Sequence, residues 1–148
     1  MNEITTQRRV SFAQTLIALS RIESDIVARL DVALSEDGLN ADQWLVLETV
    51  ASLDGATMGE IAEALSMANS SLSRTVDALE DSASVYRSPD PADRRRLVVR
   101  VTQLGTERLG RARAIVEAWE RPAIEALGEG SILAIEHAVA TLRLLSRR

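Results

Sequence analysis

The chain has 148 residues, a formal net charge of −5 and 46% hydrophobic residues, which is enough for one domain with a real core. It has no cysteine, which excludes disulfides, thiolate zinc sites and control by cysteine oxidation. No apolar run approaches the roughly 18 residues of a spanning helix, and the polar N-terminus lacks a secretory core, so a cytoplasmic protein with no membrane partner is expected.

Other classes fall away on residue type. His137 is the single histidine, and without a second one or a cysteine it reads as a helix-surface or interface residue, not a metal ligand. There is no Ser/His/Asp set, no paired catalytic carboxylates and no glycine-rich phosphate loop, so neither an enzyme nor a bound cofactor is expected. The negative net charge argues against nucleic acid, but its distribution answers that objection. Arg87 to Arg113 contains eight arginines against three carboxylates, whereas Glu23 to Asp81 holds two arginines against thirteen. Every basic residue is arginine. That suits bidentate phosphate and guanine contacts, although a GC-rich genome gives the same bias through its codons.

Residues 1–10 are polar and read as a frayed start. Leu16, Leu19, Ile22, Ile26 and Leu30 step by three and four, predicting an amphipathic helix to about Leu34 that Ser35-Glu36-Asp37-Gly38 ends. Asn40 with Gln43 caps a second helix whose Trp44, Leu47 and Ala51 are expected to face inward, and Asp54-Gly55 stops it. Thr57 with Glu60 is a capping box for a third helix with an apolar face of Ile61, Ala62 and Leu65. After the break Ser66-Met67-Ala68, Leu72, Val76 and Leu79 form the buried stripe of a fourth. Its other face shows Asn69, Ser70, Ser71, Ser73 and Arg74, the short donors and acceptors with which a helix reads base edges in a major groove and seats phosphates. Third and fourth helices together form a helix-turn-helix.

Beyond Asp81 the period changes to two. Leu97, Val99 and Val101 alternate with Val98, Arg100 and Thr102, a strand that 84–88 can pair with as a hairpin. The connecting tip, residues 89–96, has two prolines to stiffen it and Arg94, Arg95 and Arg96 to project, as in a wing entering a narrow minor groove. Asp93 is expected to orient a neighbouring arginine, since a carboxylate is repelled by phosphate. Thr102 caps a fifth helix with a stripe of Leu109, Ala112, Val116 and Trp119, which Pro122 is expected to kink or break. Gly128-Glu129-Gly130 precedes a final helix from Ser131 to Leu145, with Ile132, Ile135, Val139 and Leu142 on one side and Leu133 and Leu144 off it. This surplus apolar surface, with Leu16 and Leu19 of the first helix, calls for a second subunit.

A helix-turn-helix followed by a wing with Asp93-x-Arg95 and then Val101-Thr102 resembles the MarR family of bacterial winged-helix regulators, which has Leu-Thr at the latter place. The similarity extends upstream through Leu39-Asn40-Ala41-Asp42-Gln43-Trp44 to Leu47 and downstream to Gly105, with the flanking helices similar in layout. Ala83 stands where the family usually has glycine, and Ser84 where it has a large apolar residue. Ala68 falls at the usual N-cap, so Asn69 is expected to cap the recognition helix instead.

The resemblance implies a mainly α fold with a small β-hairpin wing and about six helices. It places a winged helix-turn-helix at 39–102 and a helical dimerisation region at 10–35 and 103–148 in one domain, 1–148. It further implies a homodimeric transcriptional regulator of double-stranded DNA, binding a pseudo-palindromic operator. A repressor released by a small aromatic or amphipathic, often anionic, ligand is expected, with Trp44 and Trp119 as pocket residues. Two alternatives stand beside it: a DNA-binding protein without a ligand, and a winged-helix module whose acidic helices meet a basic protein partner.

Overall fold

A computed structural model describes residues 11–146, so the polar start at 1–10 and the last two arginines lie outside the described residues. Six helices and one hairpin follow in the order α1 (Phe12–Leu34), α2 (Ala41–Ser52), α3 (Met58–Leu65), α4 (Asn69–Asp81), β1 (Val85–Pro89), β2 (Leu97–Val101), α5 (Gln103–Leu127) and α6 (Glu129–Ser146). This is a winged helix-turn-helix, as the sequence pattern predicts.

Local chemistry sets most of the boundaries. The 3-10 turn Ser35–Asp37 and Gly38, at φ 68°, end α1 in a left-handed residue that glycine adopts freely. Asn40 caps α2 by accepting from Gln43 N at 2.9 Å while its own N–H donates to Gln43 Oε1 at 3.0 Å. Thr57 N donates to Glu60 Oε2 at 2.8 Å, completing the capping box of α3. Thr102 Oγ1 accepts from Gly105 N at 2.9 Å and starts α5.

The core is one cluster in which Leu34 of α1, Val46, Leu47 and Val50 of α2, Ile61 of α3, Leu72, Val76 and Leu79 of α4, Val85 and Val99 of the hairpin and Leu109, Ala112 and Val116 of α5 are all buried. Ala51 is exposed, contrary to expectation, and Val46 and Val50 take its place. The cause is position. α2 is flanked by α3, α4, α5 and β2 together, so burial spreads over more than one stripe.

The hairpin also departs from strict alternation. β1 and β2 pair antiparallel from Val85 with Val101 to Pro89 with Leu97. Val98 and Val99 are both buried while Leu97 is 59% exposed, because the base of the wing is covered on both faces and its outer end on neither. Part of that cover is the turn between α2 and α3, where Ala56 N donates to Val99 O at 3.1 Å and Val99 N to Ala56 O at 2.8 Å.

Pro122 does not break α5, which runs on to Leu127 and ends at Gly128, so α6 begins at Glu129 and not at Ser131. Residues 121–130 are all exposed, as is Ala118, whose carbonyl loses its helical partner to the proline. Exposure also marks the outer parts of α1 and α6. Leu16, Leu19, Ile22 and Ile26 stand exposed along α1, and Ile135, Val139 and Leu144 along α6.

Candidate nucleic-acid interface

Helix α4 starts bare. Ala68 occupies the N-cap and makes no side-chain cap bond, so Asn69 is the first helical residue and does not cap, contrary to expectation. Ala68 O accepts from Ser71 N and Leu72 N, both at 3.0 Å, and the N–H groups of Asn69 and Ser70 precede these first intrahelical bonds. An uncapped N-terminus carries positive partial charge toward solvent, the feature that seats a phosphate. Asn69, Ser70, Ser73 and Arg74 are exposed beside it, and Ser71 is half-buried. Arg74 lies back along its own first turn, with Nε donating to Ser70 O at 3.3 Å.

The wing tip is built by two aspartates acting on backbone. Ala92 N donates to Asp90 Oδ1 at 2.9 Å and Arg95 N to Asp93 Oδ1 at 3.1 Å, while Arg96 N donates to Asp93 O at 2.9 Å. Asp93 thus orients Arg95 through its backbone N–H and not through its guanidinium. Arg94 and Arg95 are exposed, and their guanidinium groups have no hydrogen-bond or ion-pair partner among the described residues. Arg96 differs, because its Nη2 pairs with Glu60 Oε1 at 3.0 Å. The Glu60 carboxyl is held below the usual carboxylate range first by the Thr57 N–H, then by the Thr57 hydroxyl and Arg96.

The base of the wing is tied to α4 by Arg87. It pairs with Asp77 at 2.7 Å and with Glu80, and its backbone N–H donates to Glu80 Oε1 at 3.2 Å. Its guanidinium is held even more firmly protonated, chiefly by the Asp77 hydrogen bond. The hairpin is thereby tied to both α4 and α3. Sequence spacing gives no signal for these ties, since Arg87 meets α4 only through the reversal between α4 and β1, and Arg96 meets Glu60 only once the tip folds back toward α3.

The arginine-rich segment is therefore not a continuous basic surface. Arg100 donates to Asp54 O at 2.8 Å, Arg111 pairs with Asp37 at 2.7 Å, and Arg113 holds Glu48 in a two-point pair at 2.7 and 2.8 Å. Arg108 is bonded to the turn after α1 and to Ser84. Within that segment the guanidinium groups left without a partner among the described residues are those of Arg94 and Arg95, and Arg74 on α4 is bonded only to a backbone carbonyl.

The two tryptophans do not share a cavity. Trp119 lines a pocket of about 460 Å³ with Ile22, Asp25, Ile26 and Arg29 of α1 and Pro122 of its own helix. Trp44 instead packs against the core, its Nε1 buried without a hydrogen-bond partner. Among the described residues no group of three or more His, Cys, Asp or Glu is placed to hold a metal, and no helix is long and apolar enough to cross a membrane.

Fold and interface together define a winged helix-turn-helix regulator of the DNA-binding class. The MarR family model matches residues 39–97, and the chain belongs to the MarR family. It is 30% identical over 99 residues to the uncharacterised HTH-type transcriptional regulator YxaD of Bacillus subtilis (strain 168), covering 62% of this chain and 69% of that one. Its fold is similar to the transcriptional repressor CouR bound to a 23-mer DNA duplex, with a TM-score of 0.78 and 25% identity over 90% of this chain and 92% of the other. CouR from Rhodococcus jostii RHA1 bound to p-coumaroyl-CoA superposes with a TM-score of 0.79 at 24% identity, covering 84% and 88% of the two chains.

Proposed function

We propose that this protein is a homodimeric, sequence-specific regulator of double-stranded DNA, acting as a repressor that a small aromatic or anionic ligand releases. The observation that carries the reading is the pairing of a bare α4 N-terminus with a wing tip on which the Arg94 and Arg95 guanidinium groups have no partner among the described residues. Residues 39–102 read DNA on this account, with Asn69, Ser70, Ser71, Ser73 and Arg74 in the major groove and the wing arginines on phosphate or minor groove. The helical parts 10–35 and 103–148 pair two copies. The duplex-bound CouR supports the first half of the reading and the coumaroyl-CoA complex the second.

The pocket beside Trp119 suits such a ligand. Ile22, Ile26, Trp119 and Pro122 form an apolar slot for a ring, with Asp25 and Arg29 at its polar edge, and the Arg29 guanidinium makes no hydrogen bond or ion pair among the described residues. A carboxylate on an aromatic ring would fill both requirements. Trp44 does not line this pocket.

The test is duplex enrichment from a randomised pool followed by titration with salt. Wild-type protein should enrich a two-fold-symmetric sequence and bind it with a steep negative salt slope. Arg74→Ala should cost about 1–3 kcal/mol and relax preference at one base of each half-site. Equal loss on every sequence would make Arg74 a phosphate clamp. Aromatic acids should quench Trp119 emission and release the enriched duplex, and Arg29→Ala should abolish both effects while leaving duplex binding intact.

A further inference from the structure

Among the described residues Ser84 is the polar residue that the fold buries completely, and every bond it makes lies at a junction. Its N–H donates to Leu79 O at 2.8 Å, closing α4. Its carbonyl accepts from Thr102 N at 3.0 Å and from Thr102 Oγ1 at 3.2 Å, where α5 begins. Its hydroxyl lies 3.1 Å from Ser82 Oγ and accepts from Arg108 Nη1 at 3.0 Å. A Cβ on Gly105 would stand 1.9 Å from Ser84 O, so α5 passes backbone against backbone across the exit of α4.

Arg108 faces both ways from this point. Its Nε and Nη2 donate to Asp37 O at 3.1 and 3.0 Å, and Nη2 also donates to Gly38 O at 3.2 Å. Those carbonyls belong to the turn that joins α1 to α2. A Cβ at Gly38 would meet Arg108 Nη2 at 2.7 Å, so the turn and the guanidinium fit closely. One turn along α5, Arg111 Nε holds the Asp37 carboxylate at 2.7 Å. Only a planar fork with donors on two edges spans a hydroxyl on one side and two carbonyls on the other.

We propose that Arg108 is a positioning residue for DNA reading, one that sets the angle of α4 relative to α1 and α5 by tying the α4 exit at Ser84 to the Asp37–Gly38 turn. The inference rests on the DNA-reading function above. Leverage makes the tie matter. From its exit to its N-terminus α4 spans about 20 Å, so a tilt of about 5° at Ser84 displaces Asn69 and Ser70 by about 2 Å. Two copies must keep that placement together to fit both half-sites of one operator.

Two variants of the full chain test it. Arg108→Met keeps an apolar stem and removes every donor, and Ser84→Ala removes one hydroxyl. In both, the amides around Ser84 should exchange hydrogen faster. Affinity for the duplex enriched by wild type should fall by about 3- to 30-fold, with non-specific affinity and salt slope unchanged. The double variant should bind no worse than Arg108→Met, and duplexes enriched by Arg108→Met should show a broadened half-site spacing. An equal loss on both duplexes with a flatter salt slope would make Arg108 a phosphate contact and overturn the inference. So would faster exchange with specific affinity intact, which would make the tie structural only. Should Arg108→Met fail to fold, Ser84→Ala carries the same readouts. A wild-type chain that enriches no duplex ends the DNA-reading function instead, and unchanged exchange at Ser84 then overturns the tie independently.

Discussion

Ala83 holds φ 54° where α4 turns into β1, a left-handed conformation that costs an L-residue about 1–2 kcal/mol. Glycine would remove the clash at the expense of about 0.5–1 kcal/mol of added backbone freedom in the unfolded chain. Ala83→Gly should therefore stabilise the fold by up to about 1.5 kcal/mol and raise Tm by up to about 3–6 °C, as thermal unfolding would register. A lower Tm would mean that the bonds around Ser84 already absorb the strain. The wing arginines separate in the same way, one by one. Arg95→Ala should flatten the salt slope of duplex binding by about one unit, since its guanidinium is free among the described residues. Arg96→Ala should instead leave most of the slope in place and loosen the wing from α3, because its charge is already engaged by Glu60. Matching slopes for the two variants would contradict that division.

Among the elements, those with local determinants were legible in sequence. The caps at Asn40, Thr57 and Thr102 and the stripe Leu72, Val76 and Leu79 depend on neighbours within a turn or two, and each stands where its pattern puts it. What sequence could not carry was placement by distant parts. Ala51 is exposed and Val98 buried because of what lies beside α2 and the hairpin, and Ala68 remains the bare N-cap because no side chain replaces it. The eight-arginine segment read as a basic surface until folding paired most of it with carboxylates and carbonyls of α1 through α4. One such pair bears on pH. Glu48 on α2 is held below the usual carboxylate range chiefly by the hydrogen bond from Arg113 on α5. The folded state thus binds this proton less readily than the unfolded chain, so the stabilisation is present at neutral pH and is lost as pH falls through the lowered value. Glu48→Gln should destabilise by less than about 1 kcal/mol at neutral pH, both groups being partly exposed. The deficit should vanish in acid below the ordinary glutamate range, as denaturant titrations at two pH values would show; a deficit that persists there would place the loss in packing.

On the scale of the whole molecule the outstanding feature is apolar surface on α1 and α6 that the other described residues leave open. Leu16, Leu19, Ile135 and Val139 are between 37 and 51% exposed, and Ile132 and Leu142 are half-buried. A solitary chain has no use for such a stripe, and a second copy placing two recognition helices about 34 Å apart would cover it. Val139→Asp should give a soluble monomer or insoluble chain, and the monomer should lose specific duplex binding with α4 and the wing intact. Wild-type protein that sediments as a monomer at micromolar concentration and still binds a palindrome fully would refute the pairing. The apolar helices that would join copies are also remote in sequence from the residues that would read DNA, and this has a genetic corollary. A copy with a damaged wing keeps its means of pairing and would draw intact copies into unproductive dimers, so alleles altered at Arg95 should be dominant over wild type. Alleles altered at Val139 withdraw from the partnership and should be recessive.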